Sequence, residues 1–326
     1  MKYSVTIESL EWLNKYWLEH HDELDWEPLF VLPPWLNVWH KHFAPAAEIA
    51  ILVVRQSGKI IGIAPLQLKD YTAAIIGSPN VCDYEDFIIA PGEETVFFQA
   101  LLDFLKQKHI KMLEPGVVRP DSKVMLSLLP VARQSGAEIT CEPDEVSLEK
   151  DLPASWEEYL QTLDTKQRHE VRRKLRRLEE AGKITYRFIT DTASVPAFLE
   201  IFLKMFVESR EDKADFLTPQ AEGFFRDLTA TMAEFGFLRA GMLELDGRPM
   251  AAVLAFDYKD TVYLYNSGFD PTQSQLSVGI LSKALLIKDS IERGKKKFDF
   301  LKGAERYKYH LGGKEVQLQK CRIALQ

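Results

Sequence analysis

The chain has 326 residues, 46% of them hydrophobic and 27% charged, which is an ordinary globular composition. At this length we expect two domains of roughly 150 residues each. With 41 Lys and Arg against 48 Asp and Glu, the formal net charge is -7, so the whole molecule does not match nucleic acid or an anionic membrane electrostatically. A polyanionic partner would have to bind a local basic patch.

The cysteines and the apolar runs bear on where the protein works. Cys82, Cys141 and Cys321 lie far apart and match neither a metal-ligand spacing nor a disulfide framework, which fits a reducing compartment. The start of the chain has no apolar signal segment, and runs such as residues 49–54 are far shorter than the about 20 residues that span a bilayer. These features predict a soluble cytoplasmic protein without a membrane span.

Two similar β-hairpins are predicted, at residues 49–66 and 237–256. Each has two apolar runs around a short turn, Ser57-Gly58 in the first and Asp246-Gly247 in the second. The same elements follow each hairpin: a strand, a helix and a further strand, at 73–76, 93–108 and 110–113 and again at 261–267, 278–293 and 297–301. This order gives βαβ connectivity within a mixed sheet. The sequence therefore predicts two tandem α/β units, which we place at residues 1–150 and 151–326.

A basic helix is predicted between the two units. Ser155 followed by Glu158 forms a capping-box pattern, and an apolar stripe continues to a stop at Gly182, so we expect one long helix. Its opposite face is basic and comprises Lys166, Arg168, Arg172, Arg173, Lys174, Arg176 and Arg177. This face is either solvated and partly neutralised by neighbouring glutamates or a polyanion-binding surface.

The predicted strand-helix-strand after the second hairpin concentrates polar groups. Its first strand ends at Asn266, Ser267 and Gly268, and Ser277, Val278 and Gly279 begin the helix. A helix start presents free backbone N–H groups and a positive dipole end, which suits an anionic ligand.

Other common site patterns are absent. His20-His21 and His40-x-His42 have no carboxylate or Cys at ligand spacing, so we expect solvated histidines and no metal. Walker A, dinucleotide-binding, G-x-S-x-G and HExxH motifs do not occur, which argues against kinases, Rossmann dehydrogenases, serine hydrolases and zincins.

The C-terminal motifs resemble the GNAT superfamily, in the branch of FemAB-like peptidoglycan transferases and CelD/BcsL-like acetyltransferases of polysaccharide gene clusters. The resemblance rests on Tyr263-x-Tyr265-x-x-Gly268-Phe269-Asp270-Pro271, on Ser277-x-Gly279, and on Phe298-Asp299-Phe300-Leu301-x-Gly303-x-Glu305-x-Tyr307-Lys308. It implies an α/β fold of two tandem GNAT-like units with mixed, mostly antiparallel sheets flanked by helices. The site is then expected mainly in the C-terminal copy.

The resemblance also implies roles for individual residues. Asn266, Ser267 and Gly268 would donate to the acyl oxygen, and Ser277, Val278 and Gly279 would hold a donor phosphate, with a plain N-cap as the alternative for Ser277. The usual donor loop is Gln/Arg-x-x-Gly-x-Gly/Ala, and of Ser274 to Gly279 only Gly279 fits it.

Three charged residues are the catalytic candidates. Lys308 would steady charge on the transferring carbonyl or form an i,i+3 salt bridge with Glu305. Glu305 is a general base or the partner of that lysine. Asp299 is a functional carboxylate or a side chain that binds a loop's backbone N–H groups.

The acceptor is expected to contact a second group: Arg210, Tyr265, Asp270, Tyr307 and, in the N-terminal copy, Asp86. Arg210 could instead satisfy carbonyls at a helix end, and the two tyrosines could simply pack.

The function predicted from this resemblance is acyl transfer. The donor is expected to be acyl-CoA, in the first place acetyl-CoA, and the acceptor a small-molecule, glycan or peptide precursor of the cell envelope or a polysaccharide. Two alternatives stay open. One is an aminoacyl-tRNA-dependent transferase that binds tRNA on the Lys166–Arg177 helix, and the other is a catalytically inactive double-GNAT scaffold.

Overall fold

The computed structural model describes residues 3–44, 46–77, 80–209 and 215–325. These form two compact units. Unit 1 contains the residues up to Glu145 together with those from Val316 onwards, and unit 2 contains Val146–Glu315. The units differ from the predicted segments 1–150 and 151–326 in two respects: the boundary lies after Glu145, and the last strand belongs to unit 1.

Unit 1 is a mixed sheet with helices. Its elements are β1 (Tyr3–Glu8), α1 (Leu10–His20), α2 (Pro33–Phe43), β2 (Glu48–Gln56), β3 (Lys59–Lys69), β4 (Thr72–Ile75), β5 (Ile88–Ile89), α3 (Glu94–Gln107), β6 (Met112–Val118), a π-helical segment (Val124–Leu128) and α4 (Leu129–Gln134). β7 (Glu138–Asp151) starts in unit 1 and ends in unit 2.

Unit 2 begins with two additional helices and then repeats most of this order. Its elements are α5 (Trp156–Thr162), α6 (Thr165–Ala181), β8 (Ile184–Ile189), α7 (Val195–Ser209), α8 (Pro219–Glu234), β9 (Ala240–Leu245), β10 (Arg248–Tyr258), β11 (Thr261–Phe269), a 3-10 segment (Pro271–Leu276), α9 (Val278–Glu292), β12 (Lys297–Lys302) and α10 (Arg306–His310). β13 (Lys314–Ala324) starts here and returns to unit 1.

The strand orders confirm the predicted fold class. The strands follow one another as β1-β2-β3-β4-β6-β13 in unit 1 and as β8-β9-β10-β11-β12-β7 in unit 2. In each unit one neighbouring pair is parallel, β4 with β6 and β11 with β12, and the other pairs of these two series are antiparallel. The sixth position is filled by the chain's last strand in unit 1 and by β7 in unit 2.

The two hairpins are confirmed, with the turns that their sequences predict. Ser57 and Gly58 have φ of 51° and 86°, and Asp246 and Gly247 have φ of 49° and 77°. Positive φ at both central residues is the requirement of a type I′ turn, whose twist matches that of the strands on either side. Each hairpin then leads into a third antiparallel strand, β4 or β11.

The single helix predicted from Ser155 to Gly182 is wrong, because the structure contains two. Ser155 caps α5 by accepting a hydrogen bond from Glu158 N at 3.2 Å. Leu163 then adopts an extended backbone, and Asp164 begins α6 by accepting from Gln167 N at 2.8 Å. Asp164 and Gln167 form a second cap-like pattern, so the chain restarts where an N-cap satisfies the new helix's free donors.

The cysteine prediction is also corrected, because Cys141 and Cys321 form a disulfide. Their Cα atoms are 4.1 Å apart although 180 residues separate them in the sequence. They lie on β7 and β13, which are neighbouring strands, and such long-range pairing leaves no spacing pattern. The cytoplasmic location, which was inferred from cysteine usage, stays a prediction. Within the described ranges, every helix is too short or too polar to cross a bilayer.

We expect the disulfide to stabilise the fold through its long loop. Replacing both cysteines (Cys141→Ser with Cys321→Ser) should lower the free energy of unfolding by about 2 to 4 kcal/mol, because the cross-link restricts the unfolded chain. Denaturant unfolding of the oxidised wild type and the double variant measures the difference. The wild type assayed with a reducing agent is the control and should match the variant; equal stability of oxidised and reduced wild type would contradict the prediction.

Candidate functional site

The strands β11 and β12 diverge in unit 2. Their parallel ladder comprises three residue pairs, from Thr261 with Lys297 to Tyr263 with Asp299. Beyond it β11 continues along β10 and β12 continues along β7. Both ladders shift register close to this point, and such bulges bend a strand and increase its twist. The result is an opening between two neighbouring strands, and Asn266, Ser267 and Gly268 lie on its β11 side.

Helix α9 begins directly after this opening. Ser277 at its N-cap is left-handed, with φ of 58°, and its side chain makes no capping hydrogen bond. Ser277 thus occupies the N-cap position that was its alternative role, without a capping hydrogen bond from its side chain. The first-turn amides at Val278 and Gly279 belong to the group of donors that an α-helix leaves without intrahelical acceptors. They give the opening a positive end.

Two predicted glycines are explained by close packing. A Cβ at Gly279 would lie 2.9 Å from Phe269 Cδ1, so a larger residue would push α9 away from β11. A Cβ at Gly268 would overlap the backbone of α7 at Met205 and Phe206. Both glycines hold helices close to the diverging strand, which is a structural role compatible with ligand contact.

Asp270 performs a local task. Its carboxylate accepts hydrogen bonds from Thr272 N at 2.9 Å and from Thr272 Oγ1 at 2.6 Å, and so starts the 3-10 segment before α9. The structure thereby places Asp270 at the entry to the α9 start, and its contact with an acceptor stays a prediction.

The basic helix α6 lies beside the start of α9. Leu175 and Leu178 pack in one cluster with Val278 and Leu281. Three of the basic side chains have acidic partners: Arg172 with Glu157 at 2.6 Å, Arg173 with Glu170 at 2.8 Å and Arg176 with Glu180 at 3.7 Å. Arg177 differs, because its Nε is buried and has no hydrogen-bond partner in the part of the chain that the structure describes.

Further positive charge gathers between α6 and α10. Arg306 Nε donates to His310 Nε2 at 3.2 Å. Burial lowers the pKa of His310, and Arg306, Lys174 and Lys166 lower it further against the opposing effect of Asp164. These basic groups therefore share one neighbourhood, which favours an anion from solvent or substrate.

Lys308 is buried at the end of β12. It is 2% exposed, and its Nζ donates to Leu301 O at 2.9 Å and to Lys302 O and lies 3.0 Å from the Glu305 carboxylate. The salt bridge foreseen between Lys308 and Glu305 is thus present. The ammonium also satisfies carbonyls of a turn in which Leu301 has φ of 62°. Its catalytic role stays a prediction.

Asp299 has the backbone contact that was foreseen as its alternative role. The residue is 1% exposed, and its carboxylate accepts from Leu301 N at 2.8 Å and from Ser147 Oγ at 3.4 Å. Both side chains therefore stabilise the end of β12: Lys308 binds its carbonyl groups, and Asp299 binds its Leu301 amide.

The two predicted tyrosines have different surroundings. Tyr265 packs its ring against Phe225 and Phe256, with centroids 5.9 Å and 5.5 Å away. Tyr307 lies beside Lys283, whose Nζ is 4.7 Å from the ring centroid. Sequence reasoning missed Lys283, although a charged residue within the apolar run of α9 was a usable signal.

The remaining acceptor candidates are not part of this group. Asp86 belongs to unit 1, where its carboxylate accepts from Phe87 N and Lys123 N at 2.9 Å each and from Val124 N at 3.3 Å. It thereby caps the helical segment that begins at Val124, and Lys123 Nζ lies 3.7 Å away. Arg210 lies outside the described residues. No set of three or more His, Cys, Asp or Glu within the described ranges could hold a metal ion.

The equivalent region of unit 1, at the end of its parallel ladder, is filled by a side chain. The strands β4 and β6 form a parallel ladder of three pairs, and Gly77 and Gly116 follow it. A Cβ at either glycine would overlap the carboxylate of Glu85, which also accepts from Val117 N at 3.0 Å. Glu85 is 5% exposed and was not singled out in the sequence. The place that opens in unit 2 is filled by this side chain in unit 1.

The family comparison agrees with the geometry of unit 2. Residues 165–309 match the family model described as "Acetyltransferase (GNAT) domain". The matched stretch runs from the start of α6 to α10 and includes the diverging strands and α9. Residues 165–309 of unit 2 are therefore a GNAT-type acetyltransferase domain. A search of curated proteins finds no match.

Solved structures share the fold over most of the chain. FemX is similar with a TM-score of 0.68 and 14% identity, covering 99% of this chain and 97% of its own. A conserved protein of unknown function from Bacteroides thetaiotaomicron VPI-5482 has a TM-score of 0.57 and 11% identity, with coverages of 99% and 100%. L-PGS from Bacillus licheniformis has a TM-score of 0.52 and 10% identity, with coverages of 89% and 90%. At these identities the similarity concerns the fold alone.

The environment of Asp86 predicts a pH-dependent contribution to stability. Burial raises its pKa to about 6 from 3.8, against the opposing effect of Lys123. The folded state therefore binds the Asp86 proton more tightly than the unfolded state. The protonated carboxyl contributes to the free energy of unfolding at low pH, and this contribution is lost as pH rises towards 6. Relative to wild type, Asp86→Asn should gain roughly 2 kcal/mol between pH 4 and pH 7, because most of the titration between the unfolded and the folded pKa falls in this range.

Denaturant unfolding across this pH range measures the gain. Asp22→Asn is the matched control, because the Asp22 side chain is 95% exposed. A stability difference between wild type and Asp86→Asn that does not change with pH would contradict the prediction.

Proposed function

We propose that this protein is an acyltransferase whose unit 2 moves an acyl group from acyl-CoA, in the first place acetyl-CoA, to an amine or hydroxyl. The observation that carries the proposal is the opening between β11 and β12 with the positive start of α9 beside it. An extended donor needs both features: polar backbone groups near its carbonyl and a positive end for its phosphates.

The residues fit an anionic donor. Among the residues that the structure describes, none accepts a hydrogen bond from the buried Nε of Arg177, which lies on a helix that packs against the start of α9. A guanidinium binds phosphate through paired hydrogen bonds, and such a buried donor is costly while it is unsatisfied. The amides of Val278 and Gly279 would add helix-end donors.

The transfer step can be assigned to residues of unit 2. The bound donor supplies a thioester, whose carbonyl carbon is attacked by the acceptor nitrogen or oxygen as the bond to sulfur breaks. Of Asn266, Ser267 and Gly268, those whose backbone amides face away from β10 would stabilise charge on the carbonyl oxygen. Glu305 is partly exposed and would take the acceptor's proton, while Lys308 holds the Glu305 carboxylate in place. The proton released by the acceptor balances the one that the leaving thiolate takes up.

The acceptor is proposed to be a cell-envelope or polysaccharide precursor. This part rests on the resemblance of the C-terminal motifs to FemAB-like and CelD/BcsL-like proteins. Tyr265, Asp270 and Tyr307 remain the acceptor candidates within unit 2, Asp86 remains one in unit 1, and a cytoplasmic location remains part of the proposal.

Thermal unfolding with acetyl-CoA tests the donor. A ligand at 100 times its Kd should add about 2.7 kcal/mol of stability. Arg177→Gln should weaken binding of the donor, because it removes the charged group that needs an acceptor. Arg173→Gln is the matched control on the same helix, since Arg173 is half-exposed and already paired with Glu170. A wild type that no acyl-CoA stabilises would overturn the proposed donor.

A second candidate is aminoacyl-tRNA-dependent transfer. The observation in its favour is the group of basic side chains between α6 and α10, at Lys166, Lys174 and Arg306, which adds to the effect of burial in lowering the pKa of the neighbouring His310. Binding of a tRNA through several phosphates should fall steeply with salt concentration, and Lys166→Gln with Lys174→Gln should reduce that salt dependence. Absent or salt-insensitive tRNA binding would exclude this candidate.

A catalytically inactive scaffold is the third outcome. It would be favoured if the wild type binds a donor but transfers no acyl group to any acceptor tested. Glu305→Gln and Lys308→Met should each abolish most transfer if unit 2 is the active site, and full activity in both variants would place the chemistry elsewhere.

A further inference from the structure

A buried lysine connects the start of α9 with α10. Lys283 is 4% exposed, and its Nζ donates to Gly279 O at 2.7 Å. The same carbonyl accepts from Ser282 Oγ at 3.1 Å. On its other side the ammonium lies 4.7 Å from the centroid of the Tyr307 ring, at a distance typical of a cation–π contact.

Burying the Lys283 ammonium costs free energy, which indicates that the lysine has a role beyond packing. Lysine is almost never fully buried unless it is paired, because removing an ammonium from water costs several kcal/mol. The neighbouring positions Leu281, Ala284, Leu286 and Ile287 are apolar and buried. A methionine would fill the same space without the cost of burying a charge, so packing alone does not account for a lysine.

The position of Lys283 joins the two sides of the opening. Gly279, whose carbonyl it binds, belongs to the first turn of α9 and packs against Phe269 of β11. Tyr307, whose ring it contacts, is followed by Lys308, which binds the end of β12 and Glu305. A single side chain thus spans from the segment that follows β11 to the segment that follows β12.

We propose that Lys283 is a positioning residue for acyl transfer, which fixes the Tyr307 ring against the start of α9 and thereby sets the distance between the donor-binding helix end and the Glu305–Lys308 pair. The inference rests on the proposed function of unit 2. Acyl transfer requires the donor carbonyl and the acceptor to meet within a few tenths of an ångström of the productive geometry, so a brace between their binding segments affects the rate.

Steady-state kinetics test the proposal. Lys283→Met should lower kcat by roughly 10- to 100-fold and change KM for the acyl donor less than about 3-fold, because positioning and not donor affinity is lost. Lys283→Arg should recover most of the rate, since a guanidinium also stacks on an aromatic ring. Lys288→Met is the control on the same helix, where the lysine is 44% exposed, and should retain full activity. Unchanged kcat in Lys283→Met would overturn the proposal.

A second measurement does not need activity. Lys283→Met, Tyr307→Leu and the double variant form a double-mutant cycle in denaturant unfolding. The contact predicts a coupling of roughly 3- to 30-fold in the unfolding equilibrium constant. Additive effects would overturn the inference even where transfer is intact. A wild type that transfers no acyl group from any acyl-CoA would overturn the proposed function. If Lys283 and Tyr307 were still coupled in such a protein, their contact would stabilise the fold but would have no positioning role.

Discussion

The arrangement of unit 2 depends on where the parallel ladder between β11 and β12 stops. Asp299 is the last β12 residue in that ladder, and its buried carboxylate binds Leu301 N, two residues further on. Lys308 binds the carbonyl groups of Leu301 and Lys302. Because buried charges are tolerated only with such partners, these two side chains fix the local turn that directs β12 away from β11. The opening, the position of α10 and the Glu305 contact all follow from that turn.

Local chemistry made much of the fold predictable from the sequence. Ser57-Gly58 and Asp246-Gly247 supply the positive φ of their turns. The apolar pattern predicted α9 at residues 278–293, and the observed helix ends one residue earlier. The sequence missed features that depend on distant residues. Asp164 was hidden within a continuous helical stripe, and Cys141 and Cys321 become neighbours only when β7 and β13 lie side by side.

The candidate site was predictable in its residue types and less so in its contacts. The sequence identified Glu305, Lys308 and Asp299, and in the structure Lys308 pairs with Glu305 while Asp299 binds a backbone amide. Periodicity predicts the face of a helix on which a residue lies. It does not predict that Lys283 is buried against the Tyr307 ring of another helix, or that Gly77 and Gly116 make room for the Glu85 carboxylate.

Glu85 gives the duplication a consequence for ligand stoichiometry. Its carboxylate lies where the strands of unit 1 part. The helix that follows, α3, has Glu93 as its N-cap and Glu94 as its first residue, whereas the first turn of α9 has no acidic residue. An anionic donor approaching unit 1 would meet the Glu93 and Glu94 carboxylates at the helix start and a volume that the Glu85 side chain already fills. For the proposed acyltransferase, a chain with two copies of the fold would bind one donor molecule, and unit 1 would be free to change in sequence without regard to that ligand.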